Sequence, residues 1–282
     1  MIAILGGLGA ATAWAITTLT AARASPLIGP PATLAWVMLT GLVIVGPVAL
    51  VEGKPEALDG GALTWLVLAG VGNIAGLLLV YTGLRIGKVG VVAPISSSEG
   101  AVAAIVAVVA GEHMGIGTGI ALGVIAFGIV LAARASAALP DDERDDPRAV
   151  LFALGAAGAF GLGLYATGRA SVDLPIAWAV LPPRVLGVAL VTLPLLVAGR
   201  LRLTRAAAPY VVVGGVAEVA GFVSYAVGAR HGIAISAVLA SQFAAIAALA
   251  AAVLFRERLS RAGVLGVVVI AAGVAAVSAL RV

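Results

Sequence analysis

Apolar runs of about 20 residues, separated by short polar intervals, make up nearly all of this chain. They lie at 2–22, 31–51, 63–84, 90–110 and 115–133, then at 149–169, 177–197, 208–229, 233–254 and 261–280. About 20 apolar residues cover the roughly 30 Å of hydrocarbon in a bilayer, and in lipid a helix satisfies every backbone group within itself. The pattern therefore predicts an all-α integral membrane protein of ten transmembrane helices. A barrel is excluded, because its strands would be shorter and would alternate polar with apolar residues. One interval is long and polar, ARASAALPDDERDDPR at 133–148. Its acids and prolines cannot enter the bilayer, so it divides the chain into units of five helices at 1–133 and 149–282, with 134–148 as a hydrophilic linker.

Composition agrees. Of the 282 residues, 62% are hydrophobic and 11% charged, against about half apolar in soluble domains. Mean hydropathy is +1.18. Abundant Gly and Ala favour close helix–helix approach in lipid. The chain has no cysteine, which excludes disulfides and thiolate metal sites. His113 and His231 fall at helix ends, and no acid–histidine cluster has metal-ligand spacing, so no cofactor is expected. The basic residues sit in loops and do not point to nucleic acid. The first run ends in Ala-Arg-Ala, but it lacks a basic leader and is long enough to span, so it is expected to be retained as a helix.

The two units match each other. A shift of 145 superposes Arg85 on Arg230, Gly87 on Gly232, Ser96 on Ser241, Glu112 on Glu257 and Gly128 on Gly273. A shift of 146 superposes Arg23-Ala24-Ser25 on Arg169-Ala170-Ser171. Glycine and alanine matches are cheap in such a composition; matched Arg, Glu and Ser are not. With five helices per copy, the second copy must enter the membrane inverted, which is the architecture of many secondary transporters and places the site near the midplane between copies. Counting Lys and Arg by alternate loops gives Lys54, Arg169, Arg230 and Arg281 on the side of the N terminus. The opposite side holds Arg23, Arg85, Lys88, Arg134, Arg144, Arg148, Arg200, Arg202, Arg205, Arg256, Arg258 and Arg261. The positive-inside rule places both termini outside the cytoplasm.

An arginine near a loop, a fourth helix with a Ser/Glu centre and the Gly-Glu-His-Met at 111–114 together resemble the EamA-like branch of the drug/metabolite transporter superfamily. Arg256-Glu257-Arg258-Leu259-Ser260, followed by a Gly-rich helix ending at Gly273, resembles it as a second copy. The resemblance covers nearly the whole chain and implies a multi-pass transporter of the cell inner (plasma) membrane, more often an exporter, with cytoplasmic termini. Two departures stand out: Trp36 and Val37 occupy the place of a second-helix Arg, and Glu99 is followed by Gly100 where the family usually has Pro.

The polar residues inside the apolar runs are the candidates for chemistry. Glu99 lies near the middle of the fourth helix and Glu218 near the middle of the eighth. A charged side chain at that depth costs about 2.5–3.5 kcal/mol on insertion scales, so each is expected to face the bundle interior and to suit proton exchange. The 145 shift pairs Glu218 with Asn73 and Ser97 with Gln242. One unit thus offers Asn73, Ser96, Ser97, Ser98 and Glu99, and the other offers Glu218, Ser241 and Gln242. The serines alone would be weak evidence, since helix serines usually bond their own preceding turn. Arg184 follows Pro182-Pro183, which predicts a kink or break in the seventh helix. Arg184 either pairs with one of the acids, binds an anionic group of the substrate, or snorkels to the interface. Trp14, Tyr81, Tyr165 and Tyr225 can line the cavity or simply pack; Trp36, Trp65 and Trp178 lie nearer helix ends, as interfacial belts do.

These residues predict a secondary active transporter of a small polar metabolite or drug-like solute, working by alternating access. Its expected partners are the solute, a proton or other coupling ion, and the lipid bilayer. An uncoupled facilitator or exchanger of the same fold is the nearest alternative, a non-transporting membrane subunit the next. No motif for catalysis is present. Two acids favour a cationic or zwitterionic solute, whereas Arg184 points towards a carboxylate or phosphate.

Overall fold

The computed structural model of the protein describes residues 1–86, 95–136 and 148–254, together with positions 265, 268, 269, 272, 273 and 276. Among the described residues all regular structure is helical. The elements are α1 (Ile2–Ile28), α2 (Pro30–Glu52), α3 (Gly60–Ile86), α4 (Glu99–Val109), α5 (Ile116–Ser136) and α6 (Arg148–Asp173). They continue with α7 (Ile176–Val197), α8 (Ala208–Ala229), α9 (Ile233–Ala240) and α10 (Phe243–Leu254). Six of these, namely α1, α2, α3, α6, α7 and α8, are long and apolar enough to cross a bilayer. Pro94, Lys88, the linker residues 137–147, and Arg256, Glu257 and Arg258 fall outside the described residues, as do the side chains of Tyr81 and Arg85.

Local sequence accounts for the helix ends. Gly29, at φ 87°, stops α1, and Pro30-Pro31 opens α2; proline is tolerated there because the first helical N–H groups have no intrahelical partner. The α3 N terminus is held by Asp59, whose Oδ1 accepts the Ala62 N–H at 2.7 Å. Beyond α4, Gly111 adopts φ 100°. Its N–H donates to the Val108 carbonyl at 3.0 Å, and the Glu112 N–H donates to that of Ala107 at 2.9 Å. That pair of bonds is a Schellman C-cap, which needs a left-handed residue.

The fourth and ninth runs depart from the expected continuous helices. Ser97–Ser98 and Ser241–Gln242 are each a tight turn between helical segments. The serine side chains supply the reason. Ser98 Oγ donates to the Ile95 carbonyl at 2.6 Å, and Ser241 Oγ donates to that of Val238 at 2.9 Å. The backbone tightens with them: Ser98 N–H bonds Ile95 and Gln242 N–H bonds Leu239, each three residues back. Such local bonds compete with the regular ladder and bend helices.

Of the kink or break expected at Pro182-Pro183, the break needs correction. The helix runs α-helically through both prolines from Ile176 to Gly187. The irregularity comes one turn later, as a π-helical segment at Val188–Thr192. There the Leu193 N–H reaches the Val188 carbonyl, five residues back, just ahead of Pro194. A π turn accommodates the donor that proline lacks without ending the helix.

Packing pairs elements across the linker. α1 lies on α8, where Gly6 meets the Gly228 backbone and Ser224 Oγ donates to the Gly6 carbonyl at 3.0 Å. α3 lies on α6, with Gly72 against the Gly163 backbone and Gly76 under the Phe160 ring. α4 lies along α9 and also touches α6 at Gly161. Any Cβ at Gly100 would come within 2.5 Å of the Ala237 carbonyl oxygen and Ser241 Oγ, so only glycine allows this approach. Gly273 packs against Ala121 and Ile125 of α5.

Candidate functional site

Glu218, Phe222 and Tyr225 share one face of α8, each about one helical turn from the next. Arg184 reaches this face from α7 and is fully buried, at 0% exposure. Its Nη1 donates to the Val180 carbonyl at 3.1 Å and its Nη2 to the Glu218 carbonyl at 3.2 Å. The same Nη2 stands 4.0 Å from Glu218 Oε1. The guanidinium lies 4.3 Å over the Phe222 ring centroid, a cation–π geometry. Gly41 of α2 makes room for this side chain, because a Cβ there would sit 3.1 Å from Arg184 Cγ. Of the alternatives open for Arg184, snorkelling is thereby corrected: burial and two carbonyl bonds keep the head inside. A buried guanidinium needs such partners, and Glu218 supplies both a carbonyl and a carboxylate.

Glu99 is the first residue of α4, directly after the Ser97–Ser98 turn, and is buried. Its backbone carbonyl borders Gly161 of α6, and the next residue, Gly100, borders α9. Glu99 thus occupies the junction of α4, α6 and α9, within electrostatic reach of Glu218. Among the described residues its carboxylate makes no hydrogen bond. Ser97 is buried beside it; Ser241 and Gln242 are buried on the α9 side of the same crossing. Ser98 and Ser241 spend their hydroxyl protons on local carbonyls, so they can offer a ligand only acceptor lone pairs.

An aromatic cluster connects these groups. The Trp14 ring meets Phe222 edge-on at 5.0 Å, Tyr225 at 6.3 Å and Phe243 at 6.3 Å. Tyr225 donates its hydroxyl to the Leu164 carbonyl at 2.8 Å and is fully buried, which makes it a packing residue tied to α6. Tyr165 meets Trp65 edge-on at 5.7 Å. Buried polar atoms without a protein partner include Trp14 Nε1, Asn73 Oδ1, Trp178 Nε1, Arg184 Nε and Gln242 Nε2. Asn73 lies on the α3–α6 seam, its backbone N–H beside Gly163.

Trp65 and Trp178 lie in the opening turns of α3 and α7. Both pack against the central core, and the Trp178 indole N–H is buried. Trp36 of α2 donates Nε1 to the Arg202 carbonyl at 3.0 Å. Sequence reasoning missed Phe222, although it stands one turn from Glu218 on the same face, and Gly41, which carries no signal without its neighbour. Ser96 is half-buried just before the turn. Among the described residues no group of three or more His, Asp or Glu could hold a metal ion.

Several spanning apolar helices, packed through glycine and enclosing a buried Arg–Glu pair, define a multi-pass helical membrane protein. Residues 1–134 match the model of the EamA-like transporter family, in keeping with a membrane transporter of the drug/metabolite type. No curated protein sequence matches the chain. One crystal structure of a protein aligns with 99% of this chain and 98% of its own length, at a TM-score of 0.79 and 17% identity. At that identity the likeness shows the fold alone.

Proposed function

We propose that the chain is a secondary active transporter of a small polar solute that carries positive charge, coupled to protons and working by alternating access. The observation that carries this reading is Arg184, wholly buried beside Glu218, with the Glu99 carboxylate unbonded among the described residues and within electrostatic reach. Charged groups at bilayer depth are costly, and where they occur they mark ion and substrate pathways. Arg184 is held by two carbonyls, a carboxylate and a ring, which leaves only its Nε to meet an anionic group. Glu99 is the acid left to serve a cation or a proton.

The reading includes two inverted five-helix units, 1–133 and 149–282, joined by 134–148. Reciprocal packing supports it: α1 lies on α8 while α3 lies on α6, the exchange expected when the first and third helices of each unit trade places. The matched turns at Ser97–Ser98 and Ser241–Gln242 support it too, since interrupted helices at the midplane are how such folds build sites. Residence in the inner (plasma) membrane and export as the direction of transport complete the proposal, on the family resemblance.

The test is flux in liposomes holding the purified protein, with the solute chosen by a thermal-shift screen of metabolites. A pH gradient should drive uptake, and a protonophore should abolish that drive. Transport at the same rate with the gradient collapsed would favour an uncoupled facilitator. No flux of any stabilising solute would refute a transporter.

A further inference from the structure

Glu112 has no part in the site above, yet its carboxylate bridges two elements that carry it. Its Oε2 accepts the Ile233 N–H at 3.1 Å, and its Oε1 accepts the Ala234 N–H at 3.2 Å. Those are the first two N–H groups of α9, which have no intrahelical partner, and a carboxylate there also meets the positive end of the helix dipole. The backbone of Glu112 is itself locked, because its own N–H closes the Schellman cap of α4. Gly111 at φ 100° and Gly232 at φ 149° shape the two chain ends that meet here. One residue thus finishes α4 and starts α9.

Between this cap and the site, α4 and α9 lie against each other through small side chains. Ala103, Ala107, Ala234 and Ala237 are all at most 1% exposed, and Gly100 closes onto Ala237 and Ser241. The same end of the bundle holds the N terminus, where Ser236 Oγ donates to the Ala3 carbonyl at 3.1 Å. This half of the α4–α9 seam is shut. The tight turns beside Glu99 and Gln242 lie at its far end.

We propose that Glu112 is a latch: its bonds to the α9 N terminus hold the bundle closed on the face that carries the N terminus, and their release lets α4 and α9 part. The proposal rests on the alternating-access reading, but its test needs no substrate. The chain has no cysteine, so a single reporter, Ala237→Cys, can be read with a membrane-impermeant methanethiosulfonate applied to vesicles of each orientation. With Glu112 intact, labelling from the N-terminal face should be slow. With Glu112→Ala it should quicken from that face by roughly five- to thirtyfold, the change in an equilibrium constant that one helix cap commands. Labelling from the opposite face should not rise.

Glu112→Gln keeps the shape and one acceptor, and provides the same reading if the alanine variant fails to insert. An unchanged rate from the N-terminal face, or an equal rise from both faces, would overturn the latch. A one-sided rise in a protein that moves no solute would uphold the latch while removing the transporter reading.

Discussion

Two glutamates bound α4, eleven residues long, and their circumstances are opposite. Glu112, past its C-terminal end, gives both carboxylate oxygens to backbone amides of α9. Glu99, at its N-terminal end, is more deeply buried and makes no hydrogen bond among the described residues. A carboxylate with two amide donors is satisfied as an anion, and its work is to join helices. A carboxylate without donors in an apolar bundle is unsatisfied as an anion, so it is free to take a proton or a cation. The same side chain is structural past one end of the helix and available at the other, because only Glu112 accepts the opening amides of a second helix among the described residues.

The largest expected effect separates the two directly. Glu99→Gln should abolish pH-gradient-driven flux while the protein still inserts and purifies as a single species. Glu112→Gln should keep the coupling to the gradient. Driven flux at the wild-type rate in Glu99→Gln would take Glu99 out of the mechanism.

Next comes the partner acid. Removing the cation by Arg184→Leu leaves Glu218 buried without compensation and should lower stability by about 3–5 kcal/mol. Adding Glu218→Gln to that variant should recover part of the loss, as read by denaturant unfolding in detergent. Strict additivity of the two changes would mean that the pair is uncoupled.

The crossing itself is next in size. Gly100→Ala places a methyl about 2.5 Å from the Ala237 carbonyl, an overpacking that should cost about 1–3 kcal/mol. The change should also part α4 from α9 near Glu99. Wild-type melting in that variant would show that the two helices can part here without cost. The smallest effect belongs to the cap, where Glu112→Ala should cost about 0.5–2 kcal/mol of stability, measured in the same unfolding experiment.

Much of this was legible in the chain. The apolar runs at 2–22, 31–51, 63–84 and 208–229 correspond to α1, α2, α3 and α8, because run length against bilayer thickness is a one-dimensional criterion. Glu99, Glu218 and Arg184 stood out as costly residues at bilayer depth, and all three proved to be inside the bundle. The serines marked the fourth and ninth runs as polar, but not as broken; that depended on which carbonyl each hydroxyl could reach. The proline pair suggested a break in α7 that is not there, since the helix continues through Pro182-Pro183 and turns π-helical only before Pro194. Trp65 and Trp178 were legible as residues near helix ends, but which face of a helix is inward cannot be read from depth alone.

What the chain alone determined, then, is the solvent for which it was built: length and apolarity of the runs demand lipid, and lipid demands helices. It also determined which polar residues are too costly to be idle. Tertiary structure decided what each of them does. Glu112 became a cap because α9 begins beside it. Arg184 became the partner of Glu218 because Gly41 leaves it room. Glu99 remained available because glycine at 100 and at 161 brings α9 and α6 against its backbone without bringing, among the described residues, a donor to its carboxylate. Periodicity in sequence reports which residues leave water; only the crossing of helices settles which of them meet.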